Sequence, residues 1–340
     1  MSSVSSILDS LLPTLLTAYG PPGRERGIRA ALRRALRGLG PTTEDATGNL
    51  HWRRPGKGPR LLLAVPMDAP GVIVTRVDGS GIARVAILGG RAPAELVGAS
   101  LRFEDGLLGL LGCERPKGGK NGSELEAEQL YVEMGLGTKE LGRRLRVGAV
   151  GAIEDRPFRL GDLWCAANLD NRAGCAAVVA ALRAARAPRY DLHVVFSAQS
   201  ELGARGAMTG AFGVEPEMAV VVDVAHVDAK ETGGAAVGKG PCLGLKEEGF
   251  LAHPAALALV QRSAAAARVP TQWLIRESEG SDARAVRAAR SGVPTALIAI
   301  PARRSGGPVS FVNGRDVAQT AALVTRLLAT APPKSKGGRR

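Results

Sequence analysis

Histidine is scarce in this sequence, and cysteine is equally rare. The chain has 4 histidines and 4 cysteines among its 340 residues. The cysteines are Cys113, Cys165, Cys175 and Cys242. Because none of them forms a C-x-x-C pair, the sequence suggests neither a structural zinc site nor a disulfide framework. We therefore expect buried free thiols.

Long apolar runs are also absent. No run approaches the roughly 18 residues that a membrane span requires. The first basic residue is Arg24, which argues against a signal peptide, so we expect a cytoplasmic protein without a membrane partner. The chain is 45% hydrophobic and can bury a full core. Its length allows two domains of about 100–200 residues each.

Basic residues are abundant by contrast. Lysine and arginine total 45 against 32 acidic residues, which gives a formal net charge of +13. Such a charge favours an anionic partner such as nucleic acid. However, the arginines are spread through alanine-rich helical segments such as 26–40, without interleaved aromatics. Residues 333–340 are predicted to form a basic disordered tail. Nucleic-acid binding, the least favoured function, would require salt-dependent association lost on deleting residues 334–340.

Strand-like and helical patterns alternate through most of the chain. Residues 59–68 form an apolar run typical of a strand buried on both faces. Residues 76–162 instead contain short strand-like pieces broken by glycines. We predict an α/β fold with a mixed, mostly parallel sheet flanked by helices, built from residues 1–75 and 163–332. A small β-barrel-like domain at 76–162 is inserted into it.

Acidic residues stand at the ends of several of these strand-like runs. Asp170, Glu201 and Asp223 occupy such positions, as do Asp68 and the 301–308 loop. In sheets of this class, ligands bind beyond the carboxyl ends of the strands. A pair of metal ions needs a bridging carboxylate and further oxygen or nitrogen donors. The carboxylates are present, but the histidines that usually accompany them are missing.

Several motifs occur in an order that is similar to a known family. They are PMDAPG (66–71), DNRAG (170–174), SELGARGA (200–207), VVDV (221–224), GKGP (238–241), EGSDA (279–283) and IPARR-SGGP (300–308). Over about residues 7–330, the chain resembles the tetrahedral, or TET-type, dinuclear metallo-aminopeptidases, metallopeptidase family forty-two. The resemblance implies a zinc-peptidase-like α/β domain, and homo-oligomers that range from dimers to larger shells. It also implies a role of the inserted domain in oligomerisation.

The family pattern assigns roles to the acidic residues. Its first strand ends in His-x-Asp, where the histidine binds one metal ion and the aspartate orients it. Here Asp68 is retained, but Pro66 stands at the histidine position. The bridging aspartate corresponds to Asp170, and the other acidic ligands correspond to Glu201 and Asp223. The resemblance thus implies a residual, weak metal site on these three acids.

Two further positions depart from the family pattern. Ser200 replaces the general-base glutamate, and losing a general base typically costs about 10²–10⁴-fold in rate. Gly306 replaces the last histidine ligand. Each ion would therefore lose one imidazole, and even the loss of groups that only orient ligands commonly costs about 10–100-fold in affinity or activity. We expect no tightly bound cofactor, although a zinc, cobalt, manganese or magnesium ion could bind weakly.

The leading hypothesis is an aminopeptidase-family protein that has lost peptidase activity. It would act as an oligomeric scaffold or as a peptide- or ligand-binding pseudoenzyme, conceivably with an active paralogue. The alternative is an active hydrolase with a rebuilt or single-metal site that uses Asp170, Glu201, Asp223 and His226. Arg304 replaces a family tyrosine, and we predict it as a fixed cation in the vacated metal space. An ordinary solvated loop position for Arg304 is the competing interpretation.

Overall fold

A mixed β-sheet with helices on both faces forms the larger part of the structure. The computed structural model describes residues 2–78, 81–114, 125–186, 188–228, 230, 232–304 and 308–333. The strands of this sheet are β1 (Thr42–Glu44), β2 (Leu50–Arg54), β3 (Arg60–Pro66), β10 (Phe158–Leu160), β11 (Leu163–Ala166), β12 (Asp191–Ser197), β13 (Met218–His226), β14 (Cys242–Glu247), β15 (Phe250–Leu251), β16 (Gln272–Ile275), β17 (Thr295–Arg304) and β18 (Ser310–Asn313).

The helices belong to both parts of the fold. They are α1 (Ser2–Leu16), α2 (Arg26–Ala35), α3 (Pro93–Leu96), α4 (Thr138–Arg144), α5 (Leu169–Ala184), α6 (Arg205–Val214), α7 (Pro254–Ala267), α8 (Ala283–Arg287) and α9 (Gly314–Ala329). Short 3₁₀ turns lie at Ala127–Gln129 and Ser200–Leu202.

The centre of the sheet is parallel and buried on both faces. Its order is β1-β2-β12-β3-β13-β17-β18-β11-β10, and β14 branches from β17 to carry β15 and β16. Strands β12, β3, β13 and β17 pair in parallel. Along β3, Leu61 and Leu63 face the core under α1, α2, α5, α7 and α9, while Leu62 faces the core under α6 and α8. This alternation confirms the predicted α/β fold.

A closed antiparallel barrel forms the second body, as the glycine-rich middle segment predicted. Its strands are β4 (Gly71–Val77), β5 (Ile82–Leu88), β6 (Ser100–Phe103), β7 (Leu108–Cys113), β8 (Leu130–Glu133) and β9 (Val150–Ile153), in the order β4-β5-β8-β7-β6-β9. The barrel begins at Gly71 rather than at residue 76, because β4 pairs with both β5 and β9.

Two strands run further than the sequence indicated. The sequence placed Asp223 at the end of a strand-like run and residues 301–308 in a loop, but β13 extends to His226 and β17 to Arg304. The extension arises because His226 is paired with Ala302, and because β17 turns back onto β18. Asp223 therefore lies inside a strand, and part of the predicted 301–308 loop is strand.

Two of the predicted features cannot be located in the structure. Gly306 and residues 334–340 of the predicted tail lie outside the described residues. Within the described part of the chain, no helix has the length and apolar character to cross a lipid bilayer. All four cysteines are free, and only Cys113 among them is not fully buried.

The loop between β1 and β2 holds the end of β12 in place. The carboxylate of Asp45 accepts backbone N–H groups of this loop, including that of Asn49 at 3.0 Å. The buried Asn49 side chain accepts the Ala198 N–H at 2.9 Å and donates to the Gly206 carbonyl at 2.9 Å. These bonds clamp both ends of segment 198–206, which contains Ser200.

Replacing Asn49 should therefore destabilise the fold. Asn49→Ala leaves the Ala198 N–H without its acceptor and removes one donor from the Gly206 carbonyl, and leaving a buried N–H unpaired costs about 1–3 kcal/mol. We expect this loss in the free energy of unfolding, measured by urea denaturation. Thr43→Ala, at an exposed position on β1, should stay within about 0.5 kcal/mol of the wild type. Equal effects of the two substitutions would contradict the clamp.

Candidate functional site

A cavity of about 330 Å³ opens at the carboxyl edge of the parallel strands. The described residues that the sequence assigned to the site line this cavity, namely Pro66, Asp68, Asp170, Ser200, Glu201, Asp223 and Arg304. The barrel contributes Gly90 and Arg91 from the segment between β5 and α3. The cavity thus lies where the two bodies of the fold meet.

Asp68 orients the turn after β12. Its side chain is 1% exposed, and its carboxylate accepts the backbone N–H groups of Ser200 at 2.9 Å and Glu201 at 3.1 Å. Burial raises the pKa of Asp68 to about 7, against the lowering effect of these hydrogen bonds. Asp68 is therefore anchored to the backbone. Pro66, the last residue of β3, supplies no imidazole at this point.

Asp170 lies at the start of α5, where the Asp170–Asn171 peptide bond is cis. The Asn171 amide donates to the Val222 carbonyl at 2.9 Å, which ties this turn to β13. Burial raises the pKa of Asp170 to about 6, while Arg91, Arg304 and Arg276 lower it. The positive charges of three arginines therefore act on the Asp170 carboxyl.

Glu201 and Asp223 share this crowded edge. Burial raises the pKa of Glu201 to about 8, and the charges of Asp170 and Asp68 add to the shift. Its Oε2 accepts the Gly90 N–H at 3.3 Å. Burial and Asp170 also raise the pKa of Asp223 well above its usual value. Without a cation between them, these carboxyls retain protons to unusually high pH.

The hydroxyl of Ser200 is already hydrogen-bonded within the protein. It donates to Asp282 Oδ1 at 2.7 Å. Asp282 is fully buried and also accepts the Ser197 hydroxyl through Oδ2. Asp282 belongs to the EGSDA motif, but nothing in the sequence marked it as a site residue. The Ser200 hydroxyl thus donates a hydrogen bond at the position to which the family resemblance assigns a general base.

Among the described residues, four arginines line the cavity with the acids, namely Arg91, Arg276, Arg284 and Arg304, and only Arg304 was anticipated from the sequence. Arg276 pairs with Glu247 at 2.9 Å and Glu279 at 2.8 Å. Arg91 is 6% exposed and donates Nη2 to the Ala167 carbonyl at 3.2 Å. Neither Arg91 nor Arg276 lies in one of the sequence motifs of the site, so only the fold brings them to the cavity.

Arg304 lines the cavity but is paired with other acids. Its Nη1 lies 3.6 Å from Glu95 Oε1 and 3.5 Å from Glu279 Oε1. In the described portion of the chain, no arginine lies within 4 Å of a carboxylate oxygen of Asp170, Glu201 or Asp223. Arg304 therefore contributes positive charge to the site without a direct ion pair to these acids.

His226 extends the site on its other side. Its Nε2 lies 3.7 Å from Asp170 Oδ2, and both ring nitrogens lack a hydrogen-bond partner among the described residues. Burial lowers the pKa of His226 to about 2, and Arg304, Arg91 and Arg276 lower it further. The ring is therefore neutral and has an unused lone pair.

The donor set as a whole does not fit a pair of metal ions. In the parts of the chain that the structure describes, no group of three or more His, Cys, Asp or Glu side chains is arranged to hold an ion. Pro66 supplies no imidazole, and the positive charges of Arg91, Arg276 and Arg304 act on Asp170. Fixed positive charges that act on a carboxylate weaken its attraction for a metal ion.

The raised pKa of Glu201 predicts a pH-dependent stability. Its usual value is 4.5 and its value in the folded protein is about 8, so the folded state binds more protons between these values. The free energy of unfolding should therefore fall as pH rises through this range. In the Glu201→Gln variant, this decrease in the free energy of unfolding should be smaller by on the order of 2 kcal/mol. Urea unfolding of both proteins in EDTA, from about pH 5 to pH 8.5, measures this difference. A steeper fall in the variant would contradict the assignment.

Comparison with known proteins agrees with this architecture. Residues 48–323 match the family described as M42 glutamyl aminopeptidase. The lysyl aminopeptidase of Pyrococcus furiosus is 27% identical over 341 residues, which cover 95% of this chain and 97% of that protein.

Two solved structures share the fold. An aminopeptidase from the archaeon Desulfurococcus kamchatkensis superimposes with a TM-score of 0.89 at 24% identity, covering 96% of each chain. The TET1 peptidase of Pyrococcus horikoshii gives a TM-score of 0.85 at 21% identity, covering 94% of this chain and 99% of that one. At these identities the structures show the fold alone. The family match over most of the sequence shows more: this chain belongs to the M42 glutamyl aminopeptidase family.

Proposed function

We propose that this protein has lost the peptidase activity of its family and uses the cavity to bind a ligand, such as a peptide. The observation that carries the proposal is the Ser200–Asp282 hydrogen bond at 2.7 Å. A hydroxyl bonded in this way has no capacity to hold a proton taken from water. Because Ser200 stands at the general-base position, the step that activates water lacks its acceptor.

The charges in the cavity support the same conclusion. Pro66 removes an imidazole beside Asp68, and Arg91, Arg304 and Arg276 act on Asp170 in place of mobile cations. The cavity itself remains open and large enough for part of a small ligand. Binding without turnover is therefore the function that this arrangement supports best.

We also propose that the protein forms homo-oligomers. A TET1 structure with a TM-score of 0.85 is described as a dodecamer, and the Pyrococcus horikoshii TET1 peptidase as a tetrahedron or a large octahedral shell. In this chain the barrel strand β7 exposes Leu108 at 52% and Leu110 at 53%. These two leucines lie two residues apart and so share one face of the strand, and an exposed apolar patch of this kind favours burial against another surface.

The oligomer has a direct test. Light scattering after size-exclusion chromatography should give a mass several times the 35.2 kDa of one chain. The double variant Leu108→Glu and Leu110→Glu should give a smaller mass if β7 lies in the interface, because buried unpaired charges are costly. A monomeric wild type would contradict the oligomer.

One observation favours a second candidate, an active enzyme with a single metal ion. The neutral ring of His226, 3.7 Å from Asp170, has an unused lone pair. His226 and Asp170 could together provide two ligands for an ion that retains water. Ser200 would still leave this site without a general base.

The two candidates differ in metal content and turnover. If the activity is lost, the purified protein should contain no stoichiometric metal. It should also hydrolyse no substrate in a panel of aminoacyl compounds with added zinc, cobalt or manganese. Elemental analysis and a fluorogenic assay measure these properties.

The variants Asp170→Ala and His226→Ala are the controls for this experiment. Stoichiometric metal together with turnover that Asp170→Ala abolishes would refute the proposal. If His226→Ala also released the metal, the rebuilt single-metal site would be the correct account.

A further inference from the structure

We propose that the cavity binds a carboxylate anion, and that Nη1 of Arg91 is its anchoring donor. This inference rests on the proposed function, because a ligand carboxylate takes this position only where metal ions do not. Its chemical basis is the strong, geometrically matched hydrogen bonding between guanidinium and carboxylate groups.

Arg91 is a buried cation without a counter-ion in direct contact. It is 6% exposed, and Nη2 donates to the Ala167 carbonyl at 3.2 Å. Nη1 is buried and has no hydrogen-bond partner among the described residues. In the same set of residues, no acidic oxygen lies within 4 Å of this guanidinium. An unpaired buried charge is costly, so an anion that completes its contacts would bind favourably.

Two of the other arginines that line the cavity also have a donor without a partner among the described residues. Nε of Arg276 and Nε of Arg304 are both buried without a partner in the described structure. The other nitrogens of Arg276 are held by Glu247 and Glu279. Both side chains line the cavity with Arg91. Their positions are fixed before a ligand arrives, which lowers the entropic cost of binding.

Three of the acids in the cavity accept backbone N–H groups. The charge of Arg91 also acts on Asp170, without an ion pair within 4 Å among the described residues. Asp68 accepts two N–H groups from the turn at residues 200–201, and Glu201 accepts that of Gly90. Asp223 accepts the Val224 N–H at 2.8 Å. Glu279 is neutralised by Arg276 and Arg304. These contacts leave Nη1 of Arg91 without an acceptor among the described residues, and a carboxylate ligand would supply one.

The carboxylate could belong to a small free acid or to the C-terminus of a short peptide. A volume of about 330 Å³ accommodates either a small acid or the last residue of a peptide. Acetate, a dipeptide with a free carboxyl terminus and the same dipeptide amidated at that terminus separate the two sources. Preference for the free dipeptide over acetate would identify a peptide terminus.

Isothermal titration calorimetry of the full chain in EDTA tests the inference. Acetate and the free dipeptide should bind, and the amidated dipeptide should not. Arg91→Gln should weaken carboxylate binding about 10–100-fold, as the loss of a charge-assisted hydrogen bond does. Arg91→Lys should weaken it about fivefold, because lysine keeps the charge but lacks the planar fork. Arg76→Gln, at an exposed position on the barrel strand β4, should leave affinity unchanged.

Either of two results overturns the inference: no carboxylate binding to the wild type, or undiminished binding to Arg91→Gln. Circular dichroism verifies that the variants fold. If Arg91→Gln does not fold, unchanged affinity of Arg91→Lys overturns the inference. If the protein is metal-free and inactive but binds no carboxylate, this inference alone is refuted. Stoichiometric metal with turnover refutes the proposed function as well.

Discussion

The burial of several carboxyl groups at one edge of the sheet is the constraint on which the site depends. Parallel strands β3, β12 and β13 bring Asp68, Glu201 and Asp223 to this edge, and α5 adds Asp170. Buried carboxylates repel one another unless cations or hydrogen-bond donors compensate. Here the compensation comes from backbone N–H groups and from arginines, and from retained protons. Pro66 provides no imidazole at the position where the family pattern has a histidine ligand.

The barrel is part of this compensation. The segment between β5 and α3 delivers the Gly90 N–H to Glu201 and places Arg91 in the cavity. Gly89 has φ of +128°, and a Cβ there would lie 2.6 Å from Glu201 Oε2. A glycine is therefore needed for this approach. The site thus depends on contacts between both bodies of the fold.

Much of this was predictable from the sequence, because it depended on local patterns. The buried run at 59–68, the glycine-rich middle segment and the ordered motifs predicted the sheet, the barrel and the family. The acids at the strand ends predicted the location of the cavity. The lengths of β13 and β17 were not predictable, since they follow from pairing partners distant in sequence. The same holds for Arg91 and Arg276, which no motif marks and which only tertiary contacts bring to the cavity.

The central claim is that guanidinium groups, rather than metal ions, face the acids of this site. The most direct test is the anomalous diffraction of a crystal soaked in zinc. The account predicts no anomalous peak beside Asp170, with Arg91 retained in the cavity. A zinc peak at about 2.0–2.2 Å from an Asp170 oxygen, shared with Glu201 or His226 and with Arg91 displaced, would contradict it.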